Sequence, residues 1–297
     1  MNLALVTSLR FPESHWSDAD TPLVAAQLSS WVRVDVPAWD DPAVDWSAHE
    51  TVVLQSPWSM WLDLPAFRSW LDERVAAGVR VLNPPPVILR GCDKRYLAEL
   101  AEAGVATVPT TFVDSGWSPD RLRHELAAAL PSNAARRTIV VKPVASGGSL
   151  GAAEFADVDE AAQHIAALRA AGSDAMVQPY IESIDTHREL GVVTMGPDIS
   201  HAISKAAILQ PGTRTHAFHP DPRPARLTDA QLDVVRGVHD AYLRLVGTTP
   251  LSVRLDFIPD PEAGLLLLEI EAVAPVRFLR FFPDAVRAYG DLILEAH

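Results

Sequence analysis

Short apolar segments alternate with helical stretches over the first ninety residues. The strand candidates are Ala4–Val6, Val32–Val36, Thr51–Gln55 and Val79–Leu82. Residues 64–77, between the last two, repeat their apolar positions at helical spacing. This alternation predicts an α/β unit with a mostly parallel sheet, and ligands of such sheets bind beyond the carboxyl ends of the strands. Residues 7–11 and 56–58 follow two of the strands, so we place them at a candidate site.

Two alternating apolar runs near the C-terminus predict a β-hairpin. The runs SVRLDFI and LLLLEIE are separated by PDPEAG, whose prolines and glycine interrupt a strand. A four-residue loop at 261–264 then sets the register. In that register Asp256 lies opposite Glu269, and Arg254 lies opposite Glu271.

These four charged side chains are expected to project from one face of the hairpin. Residues two apart on a strand share a face, and cross-strand neighbours lie roughly 4.5–5.5 Å apart at Cβ. Three carboxylates so close together need compensating cations. Hard divalent ions such as Mg²⁺ bind such oxygens and share their coordination shell with phosphates. The alternative is a solvated strand face with an ordinary Arg254–Glu271 ion pair.

Composition and charge exclude several classes of protein. The chain has 297 residues, a mean hydropathy of +0.08 and a net charge of −13. These values predict two or three compact units and argue against binding to nucleic acids or anionic membranes. The single cysteine, Cys92, excludes an intrachain disulfide and a thiolate metal cluster. We find no apolar run near the roughly 20 residues that span a bilayer and no signal-peptide pattern, so we expect a cytoplasmic protein.

A loop of small residues follows a strand that ends in a lysine. TIVVK ends at Lys142, and SGGSLG occupies 146–151. Such a loop can present several backbone N–H groups to phosphate. The lysine precedes the glycines, unlike a P-loop, and no dinucleotide-binding fingerprint opens a helix here. A Gly-Ser loop is ordinarily a hairpin turn, but the preceding lysine favours a phosphate lid.

A proline-rich segment interrupts the apolar pattern at 210–227. It holds four prolines, three arginines and two histidines, which predicts a long irregular lid or binding loop. His216 and His219 have no cysteine or carboxylate at ligand spacing, so we expect no metal site there.

Six segments of the chain resemble the motifs of the ATP-grasp superfamily, in the order of that family and over essentially the full length. They are NPPPVILRGCDKRYLAELAEAGVATVPT, VVKPVASGGSLG, VQPYI, HREL, SHAISK, and VRLDF with LEIEAVAP. The resemblance implies an α/β and α+β fold with the three-domain ATP-grasp architecture. The implied domains are an N-terminal α/β domain (1–88), a central ATP-lid domain (89–178) and a C-terminal α+β catalytic domain (179–297), with ATP held between the last two.

The resemblance also implies roles for particular residues. The implied nucleotide-binding residues are Lys94, Lys142, Ser146, Gly147, Gly148, Ser149, Gln178, Ile181 and Glu189. Among these, the lysines correspond to phosphate binders, Gln178 and Ile181 to the adenine hinge, and Glu189 to the ribose-binding carboxylate. The implied catalytic residues are Arg254 and Lys205. The implied Mg²⁺ ligands are Asp256, Glu269 and Glu271, the last at a position where many members carry asparagine.

By this resemblance the chain is an ATP- and Mg²⁺-dependent ligase or cyclase. Such an enzyme phosphorylates a carboxylate or carbamoyl oxygen of a small amino acid derivative, and an amine then attacks, giving ADP and phosphate. The pattern AWDDPAVDW…TVVLQSPWSMW resembles a bacterial group that includes D-cycloserine-forming ligases, which cyclise O-ureido-D-serine. Departures from that group at Gln55, Trp58, Ser59 and 90–91 fall where the acceptor is expected to bind.

Two alternatives remain open. A dipeptide-forming ligase would need a clamp for a second carboxylate, which Arg214, Arg223 and Arg226 could provide. A non-catalytic nucleotide-binding module would be expected to have lost a lysine or a metal ligand, and none is lost here. The expected partner is a small amino acid-type molecule rather than a nucleic acid or a membrane, and a homo-oligomer is compatible with the sequence.

Overall fold

The structure, a computed structural model, describes residues 2–132, 134–209, 219–262 and 264–296. Three sheets follow one another along the chain. Within the described residues they contain four, four and five strands. Within the described ranges, every helix is too short or too polar to cross a bilayer.

The first sheet is parallel, as the alternation of strands and helices predicts. Its elements are β1 (Asn2–Val6), α1 (Thr21–Leu28), β2 (Arg33–Asp35), β3 (Thr51–Leu54), α2 (Leu64–Ala76) and β4 (Arg80–Leu82). Short 3-10 helices cover Trp46–Ala48 and Trp58–Leu62. The α2 helix begins where the Asp63 carboxylate accepts the Ala66 N–H. Residues 7–11 and 56–58 lie at the carboxyl edge, where Thr7 and Ser56 share a hydrogen bond of 2.7 Å.

The second sheet is small and antiparallel and is backed by two helices. The elements are β5 (Thr111–Phe112), α5 (Pro119–Ala129), β6 (Ile139–Pro143), β7 (Ala153–Phe155), α6 (Val158–Ala170) and β8 (Ala175–Pro179). The helices α5 and α6 are capped by Ser118 and Asp157, whose side chains accept N–H groups of the first turn. Residues 146–151 connect β6 to β7.

The third sheet is antiparallel and carries the predicted hairpin. The elements around it are α3 (Pro85–Gly91), α4 (Tyr96–Glu102), α7 (Ser183–His187), β9 (Glu189–Met195), β10 (Asp198–Lys205), β11 (Arg223–Ala225), α8 (Asp229–Val246), β12 (Ser252–Asp260), β13 (Gly264–Glu271) and α9 (Pro283–Ala296). Another 3-10 helix covers Leu279–Phe281. The α3 and α4 helices pack with α8 in one apolar core against this sheet, through residues such as Val87, Leu97 and Tyr242.

One structural expectation for the proline-rich segment is wrong in part. Residues 223–225 form β11 and pair with β10, because the segment lies along the open edge of the third sheet there. Residues 210–218, with Arg214 and His216, lie outside the described residues. The domain boundaries at 88 and 178 stay predictions.

Candidate active site

The hairpin of β12 and β13 brings its four charged residues together in the predicted register. Arg254 pairs with Glu271, and Asp256 pairs with Glu269, so this prediction is confirmed. The predicted turn is wrong by one residue, because Asp260 pairs with Gly264. A bulge between Asp256 and Phe257 offsets that residue and restores the register at the charged end.

Buried ion pairs link Arg254 to two carboxylates. The Arg254 guanidinium donates to both oxygens of Asp256 at 2.7 Å and lies 2.9 Å from Glu271 Oε1. Arg254 and Asp256 are 1% and 0% exposed. Burial alone would raise the pKa of Asp256, but the cations of Arg254 and Lys205 outweigh it and hold that pKa below its usual value. Part of the charge compensation expected from a metal ion is therefore supplied by the protein.

Lys205 joins the same cluster from β10, which is separated from β12 by β9 in the third sheet. Its ammonium lies 2.7 Å from Glu189 Oε1 and 3.5 Å from Asp256 Oδ2, and the side chain is 1% exposed. Burial raises the pKa of Glu189, although Lys205 opposes the shift. The carboxylate proposed for ribose binding is thus already an ion-pair partner of a lysine.

Three carboxylates of the hairpin form a group suited to a cation. One oxygen each from Asp256, Glu269 and Glu271 lies within 4.8 Å of the others. Burial raises the pKa of Glu271 to about 7, against the lowering effect of Arg254. At neutral pH, a further positive charge nearby would shift Glu271 toward its ionised form. The donor set, all hard oxygens, fits Mg²⁺.

All three lysines of the chain lie in this region. Lys94, between α3 and α4, donates to the Ser146 carbonyl and lies 3.6 Å from Glu269 Oε2. Lys142, at the end of β6, donates to Gln178 Oε1 at 2.8 Å. Burial lowers the pKa of Lys142, with Glu269 opposing the shift. Cations elsewhere on the chain are arginines and histidines, so lysine is confined to the site.

An apolar cavity opens on one side of the carboxylates. We call it the apolar cavity, and its apolar walls are Val108, Val140, Tyr180, Ile181, Ile184, Ala207, Ile258 and Leu268. Lys142, Gln178, Glu189, Lys205 and Arg254 also line it. The Gln178 amide is held by Lys142 and by Thr110, to which it donates at 2.9 Å. The cavity thus combines apolar walls with the cationic side chains of Lys142, Lys205 and Arg254.

A second cavity lies on the other side of the same carboxylates. We call it the aromatic cavity, because its walls include Trp16, Trp58, Met60 and Trp61 from the N-terminal sheet region, with Lys94 and Gly147. Four residues line both cavities: Gly148, His219, Glu269 and Glu271. His219 is buried, and its burial, together with Lys205 and Arg254, lowers its pKa well below the usual value. Glu269 and Glu271 therefore form a wall that the two cavities share.

Sequence reasoning misassigned several acceptor-side residues. Of Gln55, Trp58 and Ser59, only Trp58 lines the aromatic cavity. Gln55 donates to the Tyr289 hydroxyl, and Ser59 accepts from Trp39 Nε1, so both are buried structural residues. At the other departure, residues 90–91, Gly91 lines the aromatic cavity, whereas Arg90 is ion-paired with Glu99.

The proposed second-carboxylate clamp is also absent from the described residues that line the two cavities. Arg223 is 65% exposed and pairs with Asp221. Arg226 lines a separate groove beside α8. Neither side chain is among the residues around the carboxylates.

Two contributors to the site were missed by sequence reasoning. Gly191 on β9 lies opposite Asp256, and a Cβ there would be 3.0 Å from Asp256 Oδ1. Asn83, after β4, accepts the Ser252 N–H and donates to the Ser252 and Ala272 carbonyls, which ties the first sheet to both strands of the hairpin at its open end, next to the Arg254–Glu271 pair. Asn83 stands in the NPPP motif, but nothing local indicated that its partners lie 169 and 189 residues away.

Comparisons with known proteins agree with this arrangement. Residues 3–83 match the family described as D-cycloserine synthetase DcsG, N-terminal domain. The cycloserine biosynthesis protein DcsG of Streptomyces lavendulae is 33% identical over 279 residues, covering 92% of each chain. The crystal structure of D-cycloserine synthetase DcsG superposes with a TM-score of 0.90, at 31% identity and 99% coverage of both chains.

More distant structures share the fold alone. D-alanyl-alanine synthetase A from Vibrio cholerae gives a TM-score of 0.71 at 15% identity, covering 100% of this chain and 97% of the other. A RimK domain ATP-grasp protein from Sphaerobacter thermophilus gives 0.65 at 15% identity, covering 99% and 100%. The predicted ATP-grasp fold is confirmed. With its two cavities, its charged hairpin and a relative above 30% identity along nearly its whole length, this chain belongs to the D-cycloserine synthetase family of ATP-grasp ligases and is an ATP-dependent enzyme of the ligase class.

Proposed function

We propose that this enzyme uses ATP to phosphorylate the carboxylate of O-ureido-D-serine and closes it to D-cycloserine. The observation that carries the proposal is the wall of Glu269 and Glu271 between the apolar and aromatic cavities. ATP occupies the apolar cavity with its phosphates toward that wall. The amino acid occupies the aromatic cavity, so that its carboxylate meets the terminal phosphate at the wall.

The phosphates are bound by the lysines and the glycine loop. Lys94 and Lys142 line one small space together with the glycine loop, and their compact ammonium groups suit phosphate oxygens. The backbone N–H groups of Gly147, Gly148 and Ser149 supply further donors. Adenine lies against the apolar walls near Gln178 and Ile181, and Glu189 faces the ribose.

Asp256, Glu269 and Glu271 would hold Mg²⁺ in the loaded enzyme. Their mutual distances and the raised pKa of Glu271 support this assignment. When bound, the ion would neutralise phosphate charge at the point of phosphoryl transfer. Arg254, fixed by Asp256 and by the Val276 carbonyl, steadies the transferred phosphoryl group, and Lys205 keeps Glu189 and Asp256 in place.

The ring of cycloserine decides which oxygen is activated. That ring joins the carboxyl carbon to the nitrogen bound to the side-chain oxygen, so the carboxylate is phosphorylated rather than the carbamoyl oxygen. In ring closure the C–N bond forms, the bond from the carboxyl carbon to the phosphate oxygen breaks, and phosphate leaves with the electron pair while the nitrogen loses a proton. One water then releases the carbamoyl group as carbon dioxide and ammonia. The site needs only to position and neutralise charge, and no serine or cysteine nucleophile takes part.

Isotope tracing tests the proposal. With ¹⁸O in the substrate carboxylate, we expect one labelled oxygen in each phosphate released, together with ADP and cycloserine. Glu271→Gln should suppress all three products, whereas Glu102→Gln, an exposed carboxylate on α4, should leave them unchanged. Unlabelled phosphate, or AMP among the products, would overturn the mechanism. A strict requirement for a separate amine would retain the ligase chemistry and favour a dipeptide-forming enzyme.

A further inference from the structure

The glycine loop is seated on two tryptophan rings from another part of the chain. A Cβ on Gly147 would lie 2.4 Å from Trp61 Nε1, and a Cβ on Gly148 would lie 2.3 Å from two ring carbons of Trp16. Real side chains do not approach this closely, so the loop backbone itself is in contact with the rings. The two glycines are required by these contacts as well as by any phosphate.

Both rings are tied to the carboxylate wall. Lys94 Nζ lies 6.0 Å from the Trp61 ring, and the same ammonium pairs with Glu269. Trp16 packs edge-on against Trp58 at 5.9 Å between centroids. Trp58 Nε1 donates to the Ala274 carbonyl, three residues beyond Glu271. Movement of the glycine loop therefore changes the packing of the acceptor side of the site.

The aromatic cavity, next to the glycine loop, is small. The aromatic cavity has a volume of about 40 Å³, on a scale where one water needs about 10–15 Å³. A single slender substrate can occupy such a space only by filling it. Such a volume leaves little room in the aromatic cavity for a separate amine or for water once a substrate is bound.

We propose that Trp16 and Trp61 are specificity-determining residues that seat the glycine loop over the aromatic cavity and reserve the acyl phosphate for attack by the substrate's own nitrogen. This inference rests on the proposed function. Without the seal, water would attack the carboxyl carbon to give back the acid and phosphate. Hydroxylamine, supplied as an external amine, would give a hydroxamate and phosphate. Both outcomes break the same carbon–oxygen bond as ring closure.

The first experiment measures how tightly ATP use is coupled to ring formation. Wild type should release about one ADP per cycloserine and form no hydroxamate when hydroxylamine is added. Trp61→Ala and Trp16→Ala should raise the ADP-to-cycloserine ratio several-fold and produce hydroxamate. Trp31→Ala, which removes a tryptophan that is 72% exposed, serves as the matched control and should match wild type. A ratio near one in both cavity variants would overturn the inference, because a merely structural role lowers the rate without changing the ratio.

The second experiment is independent of the substrate. We expect Gly147→Ala and Trp61→Ala each to speed dissociation of a non-hydrolysable ATP analogue roughly tenfold, because each disturbs the same contact. The double variant should dissociate no faster than either single variant, since removing the ring makes room for the added methyl. Gly237→Ala, where a Cβ meets nothing within 4 Å, is the control. Additive effects would overturn the loop contact even in an enzyme that does make cycloserine. A non-additive result with no ADP release from the ureido acid would instead overturn the proposed function alone.

Discussion

The apolar and aromatic cavities share one wall of carboxylates but are built in different ways. The apolar cavity takes its walls from the second and third sheets, whose strands carry Lys142, Lys205 and Arg254 at fixed positions. The aromatic cavity takes its rings from segments that follow strands of the first sheet and reach the wall only through tertiary packing. Strand pairing thus positions the charged residues of the apolar cavity. The tryptophan rings of the aromatic cavity are positioned by packing between the first sheet and the rest of the fold.

This difference has a consequence for function. ATP-grasp structures at 15% identity share the fold of this chain, and the strands that carry the apolar cavity belong to that fold. Substitutions in the segments that line the aromatic cavity could change which acceptor binds without altering the pairing of the strands. Substitutions at Asp256, Glu271, Lys142 and Gly191 test the strand-built side.

Asp256→Asn should lower turnover about a thousandfold or more, because it removes a proposed metal ligand and the bidentate partner of Arg254. It should also destabilise the protein by about 3 kcal/mol, since it leaves a buried cation poorly paired. Steady-state ADP release and denaturant unfolding measure the two effects. Asp233→Asn on α8, 78% exposed, is the control. Wild-type turnover in Asp256→Asn would remove the hairpin from the mechanism.

Glu271→Gln should change how stability depends on pH. Burial raises the pKa of Glu271 in the folded protein to about 7, above the 4.5 of an ordinary glutamate. Its contribution to the free energy of unfolding is therefore fully present below pH 4.5 and is lost as pH rises through 7. A shift of that size corresponds to about 3 kcal/mol, or roughly a hundredfold in the unfolding equilibrium. Without divalent ions, the variant should gain stability relative to wild type as pH rises from about 4.5 to 7 and should keep that gain above pH 7, as measured by urea unfolding. A difference that does not vary with pH contradicts the raised pKa.

Lys142→Ala should weaken ATP binding by about 10–100-fold, because a half-buried ammonium near the glycine loop is lost. Titration calorimetry in Mg²⁺ buffer gives the affinity. The matched control is Arg123→Ala, which removes an exposed cation from α5. Unchanged affinity would return Lys142 to the ordinary role of a strand-end residue that orients Gln178.

Gly191→Ala should lower kcat/KM about tenfold with little loss of fold. The added Cβ would lie 3.0 Å from Asp256 Oδ1 and 3.2 Å from Arg254 Cδ, so the ion pair must shift by a few tenths of an ångström. Gly237→Ala adds the same methyl on α8 with nothing within 4 Å and should stabilise the helix slightly. Equal kinetics in the two variants would mean that the ion pair tolerates displacement.

The hairpin shows how far local pattern reaches. The alternation of SVRLDFI and LLLLEIE, with prolines between them, was enough to pair Arg254 with Glu271 and Asp256 with Glu269. The turn was wrong by one residue because a bulge has no clear signature in a run of leucines. The bounds of α8 are equally local, because the Thr228 side chain caps its first turn and Gly247, at φ +69, ends it.

Local signals in the sequence are enough to predict the β12–β13 hairpin, the helix caps and the lysine at the end of β6, because each depends on neighbours along the chain or across one turn. The pairing of distant strands, such as β9 with β12, and the remaining contacts of the site depend on the tertiary structure. In the folded chain, Asn83 is hydrogen-bonded to the hairpin and Gly191 lies next to the Arg254–Asp256 pair. Trp16 and Trp61 contact the glycine loop. These contacts join residues far apart in sequence through shape and close approach. Apolar periodicity carries no record of such contacts, because a tryptophan in a cavity wall and a tryptophan in a core follow the same pattern.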